Sequence, residues 1–318
     1  MGTLSSLPPH LRERTRVARP AASSSRSSSA CSGGLVVYWQ RKVLRSHENA
    51  ALDVAVAAAR ENDSELLVLT TVEDRYKHAT ARRQSFVLEG ALAAVAQLRS
   101  KGLRVTLHIA RKGHRQNLIS SLAHRASLIV AEEPFCSPWL DGVHKLLASK
   151  SPAEVVLVDA DSIVPCSLVP RSSCHRAYAY DAATAKLLAA RTGPGSVWPE
   201  QLLPFRPPPR PWEGVPLPGA EPEKTAQGGA QADIVAALLA EMDSIDHSVR
   251  PVSHTKGGST HGYARWNAWR AAEGLETYAR RRNDALDISG VSRMSAFLCA
   301  CPTPRPTLRC GHGSDLRW

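Results

Sequence analysis

Short apolar runs rich in branched side chains alternate with longer stretches of helical periodicity between residues 34 and 192. The short runs predict five strands, at Leu35–Trp39, Leu66–Val72, Arg104–Ala110, Leu128–Ala131 and Val155–Asp159. In the longer stretches apolar residues recur every three or four positions, which predicts helices at Glu48–Arg60, Ala81–Leu98, Gln116–Arg125 and Trp139–Ala148. Because strands that alternate with helices pair in parallel, the pattern predicts an α/β domain with a five-stranded parallel sheet.

The pattern changes after residue 192. Turn-forming residues dominate residues 193–230, with Pro207-Pro208-Pro209 at the centre and Gly228-Gly229 near the end, so this stretch is predicted to be an extended linker. Helical periodicity returns at Asp233–Met242 and Gly262–Arg282, which predicts the start of a helical domain over residues 231–298. Residues 299–318 lose this periodicity and are interpreted as a tail unrelated to that domain.

The first 33 residues have a different composition from the rest of the chain. They are rich in Ser and Arg, and Glu13 is their only acidic residue. This composition is typical of an organelle transit peptide or of a disordered extension, and both interpretations place the segment outside the fold. A transit peptide would direct the protein to the chloroplast, whereas the alternative compartment is the nucleus.

Composition narrows the class of protein further. The 40 basic and 29 acidic residues give a formal net charge of +11, which suits a polyanionic partner such as nucleic acid. The seven cysteines are odd in number and scattered, so we expect free thiols in a reducing compartment rather than a disulfide framework. No apolar run approaches the roughly 20 residues that a membrane span requires, and no membrane association is expected.

Polar residues follow the predicted strands at their carboxyl ends, where open α/β sheets bind ligands. These residues are Trp39, Gln40, Arg41, Glu73, Lys112 and Asp161. The chain contains neither a Walker phosphate loop nor the glycine fingerprint of dinucleotide-binding domains. Two interpretations therefore stay open, a cofactor cleft and a polar rim without a ligand.

Three parts of the α/β region carry a family resemblance. Val37-Tyr38-Trp39-Gln40-Arg41, Leu44-Arg45 and Glu48-Asn49-Ala50-Ala51-Leu52 resemble the opening of the photolyase and cryptochrome family. The segment Val158–Pro165 resembles the one that ends this domain in class II deoxyribodipyrimidine (CPD) photolyases, and Tyr178–Arg191 resembles the helix that follows. The tyrosine before the tryptophan also favours class II. Lys42 and Val43 depart from the family pattern, in which an acid is usual.

The resemblance implies a fold and two kinds of cofactor. The implied fold is a Rossmann-like five-stranded parallel sheet over residues 34–192, followed by an all-α FAD-binding domain of which this chain holds the start. Family members bind FAD in the helical domain, and a folate or deazaflavin antenna chromophore in the α/β domain. The residues do not distinguish between these two antenna pigments.

A further resemblance, in the helical region, concerns the flavin. The stretch from Tyr278 to Ser295 is similar to the family segment that cradles the flavin diphosphate. It implies that Tyr278 contacts the flavin. It also implies that the phosphate-binding turn consists of Val291, Ser292, Arg293, Met294 and Ser295. Hydroxyls, backbone donors and a guanidinium suit a pyrophosphate, although serines are also common as helix caps.

Other residues in this part of the chain allow two interpretations. Trp266 and Trp269 have the spacing of core residues on one helix face, and we favour that over an electron relay. Arg280-Arg281-Arg282 suits a solvated helix face better than a contact with DNA phosphates. Cys299, Cys301, Cys310 and His312 lack the spacing of a common zinc site, so no metal is expected.

The function implied by the resemblance is light-dependent repair of cyclobutane pyrimidine dimers with FAD, on UV-damaged DNA, by a monomeric protein. The chain departs from the family after residue 298, so we expect a C-terminally truncated product that lacks most of the catalytic helices, and we assign no catalytic residue. The alternatives are a cryptochrome-like blue-light receptor and a non-catalytic α/β binding module.

Overall fold

The structure is a computed structural model that describes residues 6–21, 34–192, 210–211, 217, 219–222, 231–287 and 289–294. The predicted tail 299–318, its four potential zinc ligands and Ser295 lie outside the described residues. Within those that are described, no helix has the length and apolar character needed to cross a membrane.

One mixed sheet forms the centre of the molecule. Its strands are β1 (Thr15–Arg19), β2 (Leu35–Gln40), β3 (Glu65–Val72), β4 (Arg104–Ile109), β5 (Leu128–Glu132), β6 (Glu154–Val158) and the short β7 (Arg210–Pro211). The strand order is β1-β6-β5-β2-β3-β4, and β7 pairs with the start of β3. Strands β2 to β6 are mutually parallel, which confirms the predicted five-stranded parallel sheet.

Nine α-helices lie in the described part of the chain. They are α1 (Pro9–Arg12), α2 (Ala50–Glu61), α3 (Ala81–Ser100), α4 (Leu118–Ala123), α5 (Trp139–Ala148), α6 (Ala177–Thr192), α7 (Gln231–Ala240), α8 (Ser259–Ala271) and α9 (Gly274–Arg281). The side chains of Asn49, Thr80 and Asn117 cap α2, α3 and α4 by accepting hydrogen bonds from first-turn amides, which explains where these helices begin.

The sheet is covered on both faces, as a parallel sheet requires. All six residues of β2 are buried, and they alternate between two apolar layers. Val36 and Tyr38 pack in the layer that includes α2 and α3, whereas Val37 and Trp39 pack in the layer that includes α4 and α5. Because successive side chains of a strand point to opposite faces of the sheet, the strand sequence determines which apolar layer each side chain joins.

The N-terminal segment is partly inside the fold, which corrects the prediction that residues 1–33 lie outside it. Strand β1 pairs antiparallel with β6, and Leu11 in α1 is buried in the core. Arg14 is 3% exposed, and its guanidinium donates to the carbonyl oxygens of Asp159 at 2.7 Å and Ser162 at 3.1 Å. Arginines in this segment donate to backbone carbonyls that are distant in sequence. Because these partners are not visible in the composition, the arginines were predicted to be solvated.

The described parts of the predicted linker contact the sheet, through the short strand β7 and through the turn that contains Gly219. The amide of Glu221 donates to the carbonyl oxygen of Leu107 at 2.8 Å, and the carbonyl oxygen of Gly219 lies 2.9 Å from Nδ1 of His108. Arg111, at the end of β4, binds the carboxylate of Glu221 with both Nη atoms and that of Glu241 with Nε. These contacts join the linker, the sheet edge and the residues after α7.

Helices α7 and α8 pack on α3, so the helical segment is docked against the α/β domain. The residues between them form a bridge with the start of α3, since the Asp246 amide donates to the Ala79 carbonyl oxygen and the Ala81 amide donates to that of Asp246. The tight approach continues at Gly257, where a Cβ atom would lie 2.0 Å from the Phe86 carbonyl oxygen. The start of α8 therefore has a fixed position on α3.

Candidate functional site

The first candidate site is a crevice at the carboxyl ends of β2 and β5. Strand β2 pairs with β3 on one side and with β5 on the other. The order in which the chain adds strands to the sheet therefore reverses at β2. Such a switch point leaves a crevice where loops separate, which is the usual ligand position in this class of sheet. The crevice is lined by the residues that follow β2 and by side chains from β5, from the loop after β6 and from α5.

Glu132, the last residue of β5, holds the loop after β2 in place. Its carboxylate accepts backbone hydrogen bonds from Lys42 at 2.7 Å, Val43 at 3.0 Å and Arg41 at 3.2 Å. It also accepts the Tyr38 hydroxyl at 2.9 Å. Burial and the Glu132 charge raise the pKa of Tyr38 well above its usual value, so the phenol stays a donor. This buried carboxylate therefore has a structural role in shaping the crevice.

Arg41 follows β2 and is buried, with guanidinium donors that no described residue accepts. Its guanidinium is stacked 3.9 Å above the ring centroid of Trp39, and Nη1 donates to the carbonyl oxygen of Trp139 at 2.8 Å. Among the described residues, Nε and Nη2 have no hydrogen-bond partner although both atoms are buried. Burial lowers the pKa of Arg41 to about 10, and the nearby Glu132 carboxylate opposes this change. A group with unsatisfied buried donors suits an anionic or carbonyl-bearing ligand.

Aromatic rings and a second cation complete this crevice. Lys42 pairs with Asp161, and its ammonium nitrogen lies 5.0 Å from the ring centroid of Phe135 and 5.8 Å from that of Trp139. Burial raises the pKa of Asp161, and the Lys42 charge opposes the shift. Phe135 is 47% exposed, so an aromatic face is available at the mouth of the crevice. The arrangement suits a planar ligand with an anionic or carbonyl group.

The other predicted rim residues have different positions. Gln40 is buried and donates to the carbonyl oxygens of Val43 and Arg45, so it supports the loop rather than facing a ligand. Glu73 and Lys112 are exposed on the side of the rim towards β4. The structure thus brings three of the six rim residues, Trp39, Arg41 and Asp161, together at the crevice.

The second candidate site is a basic cavity of about 670 Å³ between α8 and the turn after α9. Its lining consists of Ser253, His254, Thr255, Lys256, His261, Arg265, Ala268, Trp269, Ser289, Val291, Ser292 and Arg293. No carboxylate is among them. Within the described part of the chain, Lys256, Arg265 and Arg293 form no ion pair, so their positive charges are available to a ligand.

Two glycines determine the position of one wall of the basic cavity. Gly257 and Gly258 pack against the backbone of α3 near Gly90, and the Gly257 amide donates to a carboxylate oxygen of Glu89 at 2.5 Å. Gly258 has a φ of +100°, a conformation that favours glycine. Because Lys256 directly precedes this pair, the close packing on α3 holds Lys256 at the cavity.

The predicted flavin residues divide into three groups. Val291, Ser292 and Arg293 line the basic cavity, whereas Met294 packs its side chain in the core at 7% exposure. Tyr278 packs against Trp269, with ring centroids 6.1 Å apart, and is not among the lining residues. Their roles in flavin binding stay predictions. The core prediction for the two tryptophans holds for Trp266, which packs against the core, whereas Trp269 faces the cavity.

Sequence reasoning missed the cationic residues on the opposite wall of this cavity. His261 and Arg265 are four residues apart and share a face of α8, and Lys256 lies just before the helix. The available signal was the Gly257-Gly258 pair, because two glycines before a helix indicate a close backbone approach. Nothing in the periodicity shows that this helix end lies opposite the turn at 289–293.

The fold is a doubly wound α/β domain with flanking helices, the class of open sheet that binds ligands at the carboxyl ends of its strands. The sequence profile of the DNA photolyase family matches residues 36–200, which is just over half of the chain. The chain therefore belongs to the DNA photolyase family.

The chain is also similar to individual known proteins. A deoxyribodipyrimidine photo-lyase from Methanothermobacter thermautotrophicus is 32% identical over 75 residues, which are 24% of this chain and 17% of that protein. A cryptochrome structure from Synechocystis superposes with a TM-score of 0.52 at 15% identity, covering 84% of this chain and 52% of that one. An archaeal photolyase structure from Sulfolobus tokodaii, with two FAD molecules, has a TM-score of 0.48 at 15% identity, covering 83% and 51%. The chain spans about half the length of these two structures.

Proposed function

We propose that the basic cavity binds the diphosphate of FAD. The observation that carries the proposal is the set of three cations without a carboxylate partner on two facing walls of one cavity. A diphosphate needs positive charge and hydroxyl donors, and the walls supply Lys256, Arg265 and Arg293 with the hydroxyl of Ser292. When bound, the flavin supplies light-driven electron transfer, and the residues named here only hold it.

The crevice at the carboxyl ends of β2 and β5 is proposed as the site of an antenna chromophore, a folate or a deazaflavin. Both pigments are planar and both carry carbonyl and anionic groups. The buried Nε and Nη2 atoms of Arg41, which have no partner among the described residues, suit such a group, and the exposed face of Phe135 suits a ring. The same chemistry accommodates either pigment, so released-chromophore analysis is needed to identify it.

For the whole protein we propose light-dependent repair of cyclobutane pyrimidine dimers in UV-damaged DNA. Two observations support repair: the relative from Methanothermobacter is a deoxyribodipyrimidine photo-lyase, and the net charge of +11 favours a polyanion. The likeness to the Synechocystis cryptochrome concerns the fold and keeps a blue-light receptor as the second candidate.

The visible absorption spectrum of the purified chain tests flavin binding. After incubation with FAD and removal of free ligand, we expect flavin bands near one equivalent per chain. A folded protein without flavin bands would overturn the FAD proposal and favour a non-catalytic α/β binding module. If flavin is retained, blue light should restore an oligonucleotide that contains one thymine dimer, whereas a light-induced spectral change without repair would favour the receptor.

The N-terminal structure bears on the compartment. Strand β1 and the buried Arg14 belong to the sheet edge, so removal of a transit peptide that included them would expose β6. We therefore propose the nucleus rather than the chloroplast. A fluorescent fusion at the C-terminus would locate the protein, and plastid import with cleavage after residue 21 would contradict the proposal.

A further inference from the structure

One of the three consecutive arginines in α9 is tied to the turn that lines the basic cavity. Nε of Arg281 donates to Oδ2 of Asp287 at 2.5 Å, and Nη2 donates to Oδ1 of the same carboxylate at 2.9 Å. Nη2 also donates to the Ser289 hydroxyl at 3.2 Å. A two-bond pair of this kind fixes the relative orientation of both groups, and it is stronger than a single charged contact.

The paired carboxylate continues the connection towards the cavity. Oδ1 of Asp287 accepts the backbone amide of Ser289 at 3.0 Å and its hydroxyl at 3.2 Å. The carbonyl oxygen of Ser289 in turn accepts the indole N–H of Trp269 at 3.2 Å. Ser289 and Trp269 both line the cavity, so Arg281 and Asp287 bond directly to a residue of the cavity wall.

Backbone packing keeps the turn against the same helix end. Gly290 is buried, and a Cβ atom there would lie 2.6 Å from the carbonyl oxygen of Arg281. Gly290 immediately precedes Val291, Ser292 and Arg293, which line the cavity. The turn therefore touches α9 at two adjacent points, a side-chain pair and a backbone contact.

We propose that Arg281 and Asp287 are positioning residues that hold the turn 289–293 in the conformation that binds a diphosphate. The proposal rests on the proposed function of the cavity and adds residues that do not touch the ligand. It assigns Arg281 a role other than the two weighed from its sequence, a solvated helix face and a DNA contact. Its guanidinium is engaged within the turn, whereas the neighbouring Arg280 is exposed.

Binding of ADP, which carries the diphosphate without the flavin ring, provides the test. Arg281→Ala and Asp287→Ala are each expected to weaken ADP binding about tenfold, because the turn loses its anchor. Asp287→Ala is the decisive variant. It removes a negative charge close to the cavity, so a purely electrostatic role for these residues predicts tighter binding, whereas a positioning role predicts weaker binding. Arg280→Ala is the matched control and removes the same charge from the same helix.

The reversed pair adds a rescue. Arg281→Asp combined with Asp287→Arg keeps the net charge and is expected to bind ADP more tightly than either single change alone. Adenosine, which lacks the diphosphate, should bind all variants equally, and thermal unfolding reports whether each variant is folded. If the wild-type protein binds ADP and both alanine variants bind it with the same affinity, this proposal is overturned and the proposed function of the cavity stands. Failure of the wild-type protein to bind ADP or FAD would overturn the proposed function together with it.

Discussion

The crevice of the sheet and the basic cavity between the helices both contain several charged side chains. They differ in whether those side chains are paired within the protein. In the crevice, the Glu132 carboxylate accepts four hydrogen bonds, and Lys42 is paired with Asp161. In the basic cavity, Lys256 and Arg265 have no ionic partner among the described residues. Charge that is neutralised inside the protein contributes to the fold, whereas charge that is left unneutralised on a cavity wall is available to a ligand.

This difference indicates which substitutions should affect stability and which should affect binding. A buried group with several partners leaves all of them unsatisfied when it is removed, so its loss appears in the free energy of unfolding. A solvated cation on a cavity wall has no protein partner to lose, so its removal appears mainly in ligand affinity. The crevice contains one exception, Arg41, which combines structural contacts with two unused donors.

Removal of the Glu132 carboxylate should have the largest effect. Glu132→Ala leaves three buried backbone amides without their acceptor and removes the shorter of the two hydrogen bonds that the Tyr38 hydroxyl can donate, and we expect a loss of about 4 kcal/mol in the free energy of unfolding. Unfolding in urea, monitored by circular dichroism, measures this loss in the free energy of unfolding. The control is Glu133→Ala, which removes a pair with the largely exposed Arg16 and should cost less than about 1 kcal/mol. Equal losses for both variants would contradict the comparison.

The second prediction concerns the ion cluster that holds the linker. Arg111→Met leaves the carboxylate of Glu221, which is 7% exposed, without its buried cation, and we expect a loss of about 3 kcal/mol in unfolding free energy. Limited proteolysis should also cleave the linker faster, because its contact with β4 is weakened. Arg125→Met, at an exposed position, is the control and should leave both measurements unchanged. A loss below about 1 kcal/mol would show that the linker is held by its backbone contacts instead.

The part of the fold that sequence could predict is the part with strong periodicity. The runs of branched residues in β2 to β6 are buried on both faces, and that requirement is visible in each run by itself. Strand β1 could not be recognised in this way, because two of its five residues are arginines. Arg19 is held by the carbonyl oxygens of Leu146, Ser149 and Ala153, which are more than 120 residues away in sequence. Only the folded chain shows these partners.

The candidate sites could likewise be predicted only in part from the sequence. The family resemblance pointed to Val291, Ser292 and Arg293, which share one cavity wall. The opposite wall depends on how α8 docks on α3 through Gly257, and no local pattern contains that information. Arg281 was grouped with its neighbours as one basic run, since sequence alone does not show that one of three adjacent arginines turns towards Asp287.

A third prediction sharpens the comparison at Asp53 in α2, a half-buried acid of the α/β domain. Burial raises the pKa of Asp53 to about 7, although the charges of Lys101 and Arg45 oppose the shift, and its Oδ2 atom has no hydrogen-bond partner among the described residues. The acid in the unfolded chain loses its proton near pH 4. The unfolded state is therefore favoured as the pH rises from about 4 to about 7, and stability should fall over that range.

Asp53→Asn tests this reasoning, because the amide resembles the protonated acid and cannot ionise. We expect the variant to be more stable than the wild-type protein by about 2 kcal/mol at pH 8, with a smaller difference at pH 5. Urea unfolding at the two pH values measures both differences. An equal effect of the substitution at pH 5 and pH 8 would show that Asp53 does not titrate within this range.

The smallest expected change in free energy, and the most specific one, is at the basic cavity. Arg265→Glu replaces a cation of the wall by an anion, so ADP binding should weaken at least about tenfold, equivalent to about 1.4 kcal/mol. Since Arg265 has no ionic partner among the described residues, the free energy of unfolding should change by less than about 0.5 kcal/mol. Arg270→Glu on the same helix changes the net charge equally but lies outside the lining, and screening by salt should make its effect on ADP small. If both variants weaken ADP binding equally, only the overall charge attracts the ligand. If Arg265→Glu alone weakens it, the wall itself contacts the diphosphate, and the contrast with the internally neutralised crevice holds.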